Sequence, residues 1–278
     1  MLLLILDGPS VLYRCYHALP KLTTKEGRPT GALFGTARLI ARLVRSLKPT
    51  YWAMAMDSFP TFRHRIYPEY KSQHDRPSDI SSQFETLYEL ANAFGIPIFK
   101  EKEFEADDVI NSLTKAGLRE GHDVVIETTD SDIMVLVSEK VVLHYRDTIV
   151  DAESVSKKFG IEPYQISDYK ALVGDTSDGF PGIKGIGEVS ARKILKKFGS
   201  LENVKVEELE GQSRKAFEAD ATRIPLWQDL SRLRNPIPEV DWERCKVGQW
   251  DTEKLTSLLT SLEFAAPMEV ILNLEAWR

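Results

Sequence analysis

Residues 2–7 read Leu2-Leu3-Leu4-Ile5-Leu6-Asp7, five apolar side chains in a row closed by an acid. A strand open to water on one face alternates apolar and polar residues; an unbroken apolar run is what a strand covered on both faces requires, as in a parallel sheet. The same figure recurs in Tyr51–Met56, closed by Asp57, and in Val124–Ile126, followed by Asp130 and Asp132; Ile96–Phe99 is a shorter strand. Between the runs lie helical patterns: Gly31–Lys48 (apolar at Leu33, Ala37, Ile40, Val44 and Leu47), Gln83–Phe94, and a helix marked by Ala106, Val109, Ile110 and Leu113. Strands alternating with helix-length segments predict an α/β fold with a mostly parallel central sheet flanked by helices.

From about residue 151 the pattern turns helical, with Ser154–Phe159, Pro163–Leu172 and Glu188–Phe198 joined by short Gly- and Pro-containing turns. The tail from Val204 is charged and irregular, ending in a helical stretch over Thr252–Leu262. The expected organisation is an α/β core over 1–150 and a helical region over 151–278 that packs on it.

The chain has 278 residues, 28% charged and 42% hydrophobic, the balance of an ordinary globular protein. The opening apolar run is too short for a membrane span and lacks the basic lead of a signal peptide. Cys15 and Cys245 are the only cysteines, so no disulfide framework is expected, and a reducing, cytoplasmic setting fits. The net charge of −6 argues against a nucleic-acid ligand when taken as an average. Without the nine acids singled out below, however, the remaining charges sum to +3. The distribution therefore decides.

Three strands deliver Asp7, Asp57, Asp130 and Asp132 to one edge of the sheet, and ligands of open α/β sheets bind outside the carboxyl ends of the strands. Glu105, Asp107 and Asp108 open the helix after the strand Ile96–Phe99, with Glu105 and Asp108 three residues apart on one face. Asp175 and Asp178 lie in a turn-like Gly174-Asp175-Thr176-Ser177-Asp178. Any one of these acids reads equally as a turn former or a helix cap. As a set in one crevice they repel each other unless cations intervene. An all-oxygen donor set points to Mg²⁺ or Mn²⁺ rather than zinc. Two such ions about 4 Å apart suit in-line phosphoryl displacement.

Gly182, Gly185 and Gly187 form a hairpin pattern before the helix Glu188–Phe198, and Lys184, Arg192, Lys193, Lys196 and Lys197 face a single acid, Glu188. Such a hairpin suits a sequence-independent grip on a nucleic-acid backbone; a plain turn with a solvated basic face is the alternative. Between Phe59 and Ser78, Arg63, Arg65, Lys71 and Arg76 interleave with Phe62, Tyr67 and Tyr70, a mixture that steers phosphate and stacks on bases. An exposed loop with its rings folded onto the core explains the same residues. Arg14, seven residues after Asp7, is within reach of the site.

These segments together resemble the 5′ nuclease (flap endonuclease) family, in particular the 5′–3′ exonuclease domain of bacterial DNA polymerase I and its stand-alone and phage relatives. The stretches carrying the resemblance are LLILDGPSVLYRCYHALP, PTGALFGTARLI, MDSFPTFRHRIYPEYK, FEADDVI, TTDSDIMVLV and ALVGDTSDGFPGIKGIGEVSARKIL, in that order. The resemblance implies a metallonuclease core, a helical arch over about 60–80 and a helix-hairpin-helix (helix–three-turn–helix) clamp over about 174–198. It implies that all nine acids serve two Mg²⁺ or Mn²⁺ ions. Lys71 and Arg14 would engage the scissile phosphate, and Arg63, Arg65, Tyr67, His74 and the hairpin would contact DNA. K⁺ at the hairpin, DNA with 5′ flaps, ends or junctions, RNA–DNA primers, a monomeric state and a link to a separate polymerase follow from it as well. The chain ends where a polymerase would begin. His74 stands where the family usually has arginine, Ser131 where lysine is common, Gly179 where asparagine is usual, and Pro9 is unusual after the first acid. A PIN-type ribonuclease and a non-catalytic branched-DNA-binding protein are the competing expectations.

Overall fold

The computed structural model describes residues 1–19, 22–72, 77–248 and 250–264. In chain order the first elements are β1 (Leu2–Asp7), α1 (Gly8–Ala18), α2 (Gly31–Leu47), β2 (Tyr51–Ala55), α3 (Phe62–Ile66), α4 (Ser78–Ala93), β3 (Ile98–Phe99), α5 (Ala106–Arg119) and β4 (Asp123–Glu127). There follow β5 (Val141–Tyr145), β6 (Thr148–Val150), α6 (Ala152–Phe159), α7 (Ile166–Val173), α8 (Glu188–Phe198), α9 (Gly211–Asp220), α10 (Ile224–Ser231) and α11 (Thr252–Ser261).

The six strands lie in the order β3-β2-β1-β4-β5-β6. Pairings from β3 through β5 are parallel, and β6 is an antiparallel edge. The chain runs outward from β1 to β3, then crosses back to place β4 on the other side of β1. That reversal opens a crevice at the carboxyl ends of β1 and β4. The apolar run that opens the chain explains why β1 is central: Leu3 and Ile5 feed one core, Leu4 and Leu6 the other. The first core is roofed by α5 and by the helical region, down to Trp227 and Leu230 of α10. The second lies under α1, α2 and α4, and α11 returns to it with Leu255 and Leu259.

Several boundaries differ from expectation. Helix α4 begins five residues before Gln83, β3 is only two residues long, and Asp132–Leu136 is a 3-10 turn. The hairpin of β5 and β6 was not read from the sequence; Arg146 and Asp147 at its tip both take positive φ (49° and 64°), a bend that no Gly announces. The tail from Val204 is more regular than its charge implies, since it holds α9 and α10. Their apolar faces are short: α10 buries Trp227 and Leu230.

Candidate active site

A crevice of about 820 Å³ lies beside the β1/β4 reversal, lined by Asp7, Asp57, Glu105, Asp107, Asp130 and Lys71 among others. Asp7 is the last residue of β1 and the N-cap of α1, accepting the Ser10 amide at 3.1 Å and the Thr128 hydroxyl at 2.6 Å. The Thr128 hydroxyl also accepts the Asp130 amide at 2.9 Å, and the Ser10 hydroxyl accepts the Thr129 amide at 2.7 Å. Asp57 accepts the Ala106 amide at 2.9 Å, tying the end of β2 to the start of α5. Ser10 and Thr128 thus orient the acids, a role sequence reading missed because a hydroxyl beside an aspartate carries no distinguishing pattern.

The rim is built from the turn Asp175–Phe180, closed by Asp175 N–H to Phe180 O (2.8 Å) and the return bond (3.1 Å). The Asp175 carboxylate accepts the amides of Ser177 (2.8 Å) and Asp178 (3.1 Å), an Asx-type turn. Asp132, Asp175 and Asp178 each bring one oxygen to within 4.8 Å of the others. Gly179 takes φ 78°, and an added Cβ would lie 3.1 Å from the Glu69 carbonyl. Glycine there suits both the bend and the close approach, which accounts for its standing in place of asparagine.

Two residues join the deep acids to the rim. The buried Tyr70 hydroxyl lies 3.0 Å from Glu105 and 3.1 Å from Asp178, one hydrogen between two carboxylates. The Lys71 ammonium lies 3.0 Å from Glu105 and 3.5 Å from Asp178. Lys170 of α7, which the sequence reading passed over, seats its ammonium between Asp132 and Asp175.

Burial and the neighbouring Asp130 and Asp57 push the Asp7 carboxyl up to about 7, though Thr128 and Ser10 oppose the shift. Burial and Asp130 push Asp132 up to about 6 against the pull of Lys170, and burial and Asp130 raise Asp107 well above the carboxylate range. Burial would raise Glu105 too, but Lys71 and Arg63 hold it below its usual value. Acids that cannot all ionise without a counter-charge, offering oxygen donors only, fit hard divalent cations.

A pH prediction follows. Asp7 has a folded pKa above its unfolded value, so between about 4 and 7 the native state binds the extra proton and stability falls as pH rises. Asp132 acts the same way up to about 6. A divalent ion replaces those protons. The gain in Tm on adding Mg²⁺ should therefore be larger at pH 7.5 than at pH 5; equal gains would mean the raised acids do not face the ion.

Several candidates do not point into the crevice. Asp108, in the first turn of α5, is fully buried, and its carboxylate takes Arg63 through two bonds (2.6 and 3.0 Å) and the Arg234 amide (2.7 Å). Its partner Arg63, read as a DNA contact, is buried and also meets Glu105 at 3.1 Å. Tyr67 packs edge-on against Trp227 at 5.6 Å. Arg14 does not line the crevice; it bonds Glu127 (2.7 Å) and Asp147 (2.5 Å), with Arg42 on the same Asp147. The fully buried Glu127 is held from its other side by His144. Arg65 is exposed and pairs with Glu103 at 3.1 Å. His74 and Arg76 lie outside the described residues.

The glycines of the hairpin have unequal tasks. Gly182 has φ 64°, and a Cβ there would meet the Gly174 amide nitrogen at 2.2 Å; Gly185 has φ 95°, whereas Gly187, the N-cap of α8, has open space around it. Gly182→Ala should therefore disrupt the hairpin and lower Tm, while Gly187→Ala should melt like the parent; equal melts would contradict this packing. Lys184, Lys193 and Lys196 are exposed, Arg192 pairs with Glu188 at 2.6 Å, and Lys197 lies 3.4 Å from Glu208.

An acid-lined crevice at the carboxyl edge of a parallel sheet, with a lysine among its acids, suits divalent-metal chemistry on phosphate esters. The comparisons with known proteins narrow that class. The family model described as 5′-3′ exonuclease, N-terminal resolvase-like domain, matches residues 2–160, and that described as 5′-3′ exonuclease, C-terminal SAM fold, matches 161–253. The chain belongs to the 5′-3′ exonuclease family. It is 36% identical to a 5′-3′ exonuclease of Aquifex aeolicus over 97% of this chain and 94% of that protein. It is 37% identical to DNA polymerase I of Caldicellulosiruptor bescii over 95% of this chain, spanning about a third (33%) of that protein. Among solved structures, the bacteriophage T5 D15 flap endonuclease, in a complex with DNA and metal ions, superposes with a TM-score of 0.69 at 20% identity, covering 99% of this chain and 100% of that one. The catalytic core of Rad2 with DNA substrate superposes with a TM-score of 0.62 at 20% identity, covering 99% of this chain and 92% of that one. Among the described residues no helix is long and apolar enough to cross a membrane.

Proposed function

We propose that this nuclease cuts DNA at 5′ flaps, ends or junctions, and the RNA–DNA junctions of primers, with two Mg²⁺ or Mn²⁺ ions. The observation that carries the reading is the juxtaposition of two acid groups: Asp7, Asp57, Asp107 and Asp130 lining the crevice (the deep group), and the cluster Asp132, Asp175 and Asp178 (the rim group), of which Asp132 and Asp178 line it too. The deep group with Glu105 would hold one ion and the rim group the other. When bound, the ions supply charge stabilisation at the phosphate and a lowered pKa for attacking water.

The chain's own residues do the rest. Lys71 lines the crevice with its ammonium between Glu105 and Asp178, and would pass from carboxylate to phosphate oxygen as substrate enters. Tyr70 keeps Glu105 and Asp178 at fixed separation. Arg14 acts indirectly: anchored on Glu127 and Asp147, it braces β4 against α1 near Asp130 rather than touching the phosphate. The exposed Lys184, Lys193 and Lys196 suit backbone phosphates of the duplex next to the cut, with a monovalent cation such as K⁺ at the glycine hairpin. We assign the chain a monomeric, cytoplasmic role in concert with a DNA polymerase.

The test is cleavage of a 5′-end-labelled flap and of a matched single strand, in Mg²⁺ and in chelator. Metal-dependent release of the whole flap at the junction supports the reading. Binding without cutting in Mg²⁺ and Mn²⁺ would make the protein a binder, and preference for single-stranded RNA would make it a ribonuclease.

A further inference from the structure

Lys170 stands in the last turn of α7, its side chain 15% exposed, with its ammonium between Asp132 and Asp175 and 2.5 Å from the latter. Those two carboxylates and Asp178 form the one three-acid group among the described residues whose oxygens lie within 4.8 Å of one another. A cation therefore already belongs to this group, and it is attached to the chain. Burial disfavours a charged amine, but Asp132 and Asp175 outweigh it and hold the lysine protonated. Among the deep acids Glu105 is also met by a cation, Lys71 at 3.0 Å, whereas Asp7 is held by the Ser10 amide and the Thr128 hydroxyl.

We propose that Lys170 weakens the rim ion site: its ammonium competes with the second divalent cation for Asp132 and Asp175. An ammonium and a divalent ion sharing two carboxylates repel with twice the unit-charge Coulomb interaction, and the ion gains those oxygens only as the lysine withdraws. In the ion-free protein the same lysine keeps the rim acids from repelling each other, which links Asp132, beyond β4, to the turn after α7. Lys170 is thus a positioning residue that sets ion affinity. The inference rests on the two-ion reading above.

The test is Mn²⁺ titration of the full chain, with free Mn²⁺ read by electron paramagnetic resonance. The parent protein should bind two ions, the second of them weakly. Lys170→Met should tighten the weak site about tenfold or more, the effect of removing a buried like charge. Lys170→Arg, which keeps the charge, should stay near the parent. The melting temperature of Lys170→Met in chelator should fall below the parent's and recover with Mn²⁺, because Asp132 and Asp175 then lose the ammonium between them. An unchanged or weaker second site in Lys170→Met overturns the proposal and leaves the lysine a structural strut. No Mn²⁺ bound by the parent would instead overturn the metal reading itself. Where Lys170→Met does not fold, acetylation of Lys170 in the parent, read by mass spectrometry, takes its place. Labelling should rise as the second ion displaces the ammonium; constant labelling overturns the proposal.

Discussion

Asp130→Asn combined with Asp132→Asn should abolish cleavage of a flap substrate while leaving its binding intact or tighter. Asp130 lines the deep crevice and Asp132 the rim, so the pair removes a ligand from each proposed ion site at once. Losing about 5 kcal/mol of transition-state charge stabilisation slows turnover about 10³- to 10⁴-fold. Binding should survive because two fewer negative charges face the phosphate backbone. The melting temperature in chelator should rise, since Asp130 is a cause of the raised carboxyls at Asp7, Asp107 and Asp132. A double variant that cuts at the parent rate would refute the two-ion assignment, and one that fails to bind would show these acids shape the DNA surface.

Arg63→Met should be the most destabilising single change for its size, with little effect on ion stoichiometry. The guanidinium is 2% exposed, holds both oxygens of Asp108 and donates to the carbonyls of Leu230 and Arg232. Removing one partner strands a buried carboxylate, at a cost of about 3–5 kcal/mol. For a chain of this size that lowers Tm by roughly 6–20 °C. Arg63→Met with Asp108→Asn should recover much of the loss, because the neutral amide needs no counter-charge yet still accepts the Arg234 amide. A single variant melting within a degree or two of the parent would mean the network is dispensable.

The contrast between these residues shows what the sequence discloses. Asp7 and Asp57 were legible because each closes an apolar run and Asp130 because it follows one, and the side on which a parallel strand ends is fixed by chain direction. Asp108 belongs to the same Glu-Ala-Asp-Asp motif, yet one step round the helix turns it from Asp107's crevice into the core. Spacing gives a face of a helix; it does not say which neighbour that face meets. The same limit governs Arg63 and Tyr67, which share a basic, aromatic segment with Lys71 but pack inward, because α10 brings Trp227 and Leu230 against α3 from more than 150 residues away. That helix was itself hard to see, its apolar face being two residues wide. Lys170 was overlooked for a related reason: it sits on a helix whose neighbours are apolar, and only the fold of the turn after α7 gives its amine two acids. The Gly-rich hairpin was legible as a bend, though Gly182 is demanded by its approach to Gly174 rather than by a ligand.

The path of the chain after α10 has a practical meaning. Val247 donates to the Thr50 carbonyl at 3.1 Å and Trp52 to the Cys245 carbonyl at 2.8 Å, so this segment clasps the start of β2 before Leu255, Leu259, Leu262 and Phe264 settle against the far face of the sheet. The seam near residue 160, where one matched part gives way to the other, is therefore not a seam of folding. A fragment ending there would leave one side of its sheet bare where α11 belongs and the other bare where α7, α8 and α10 belong. The two parts are laced together, and whatever recombination shuffles in such nucleases has to carry both at once.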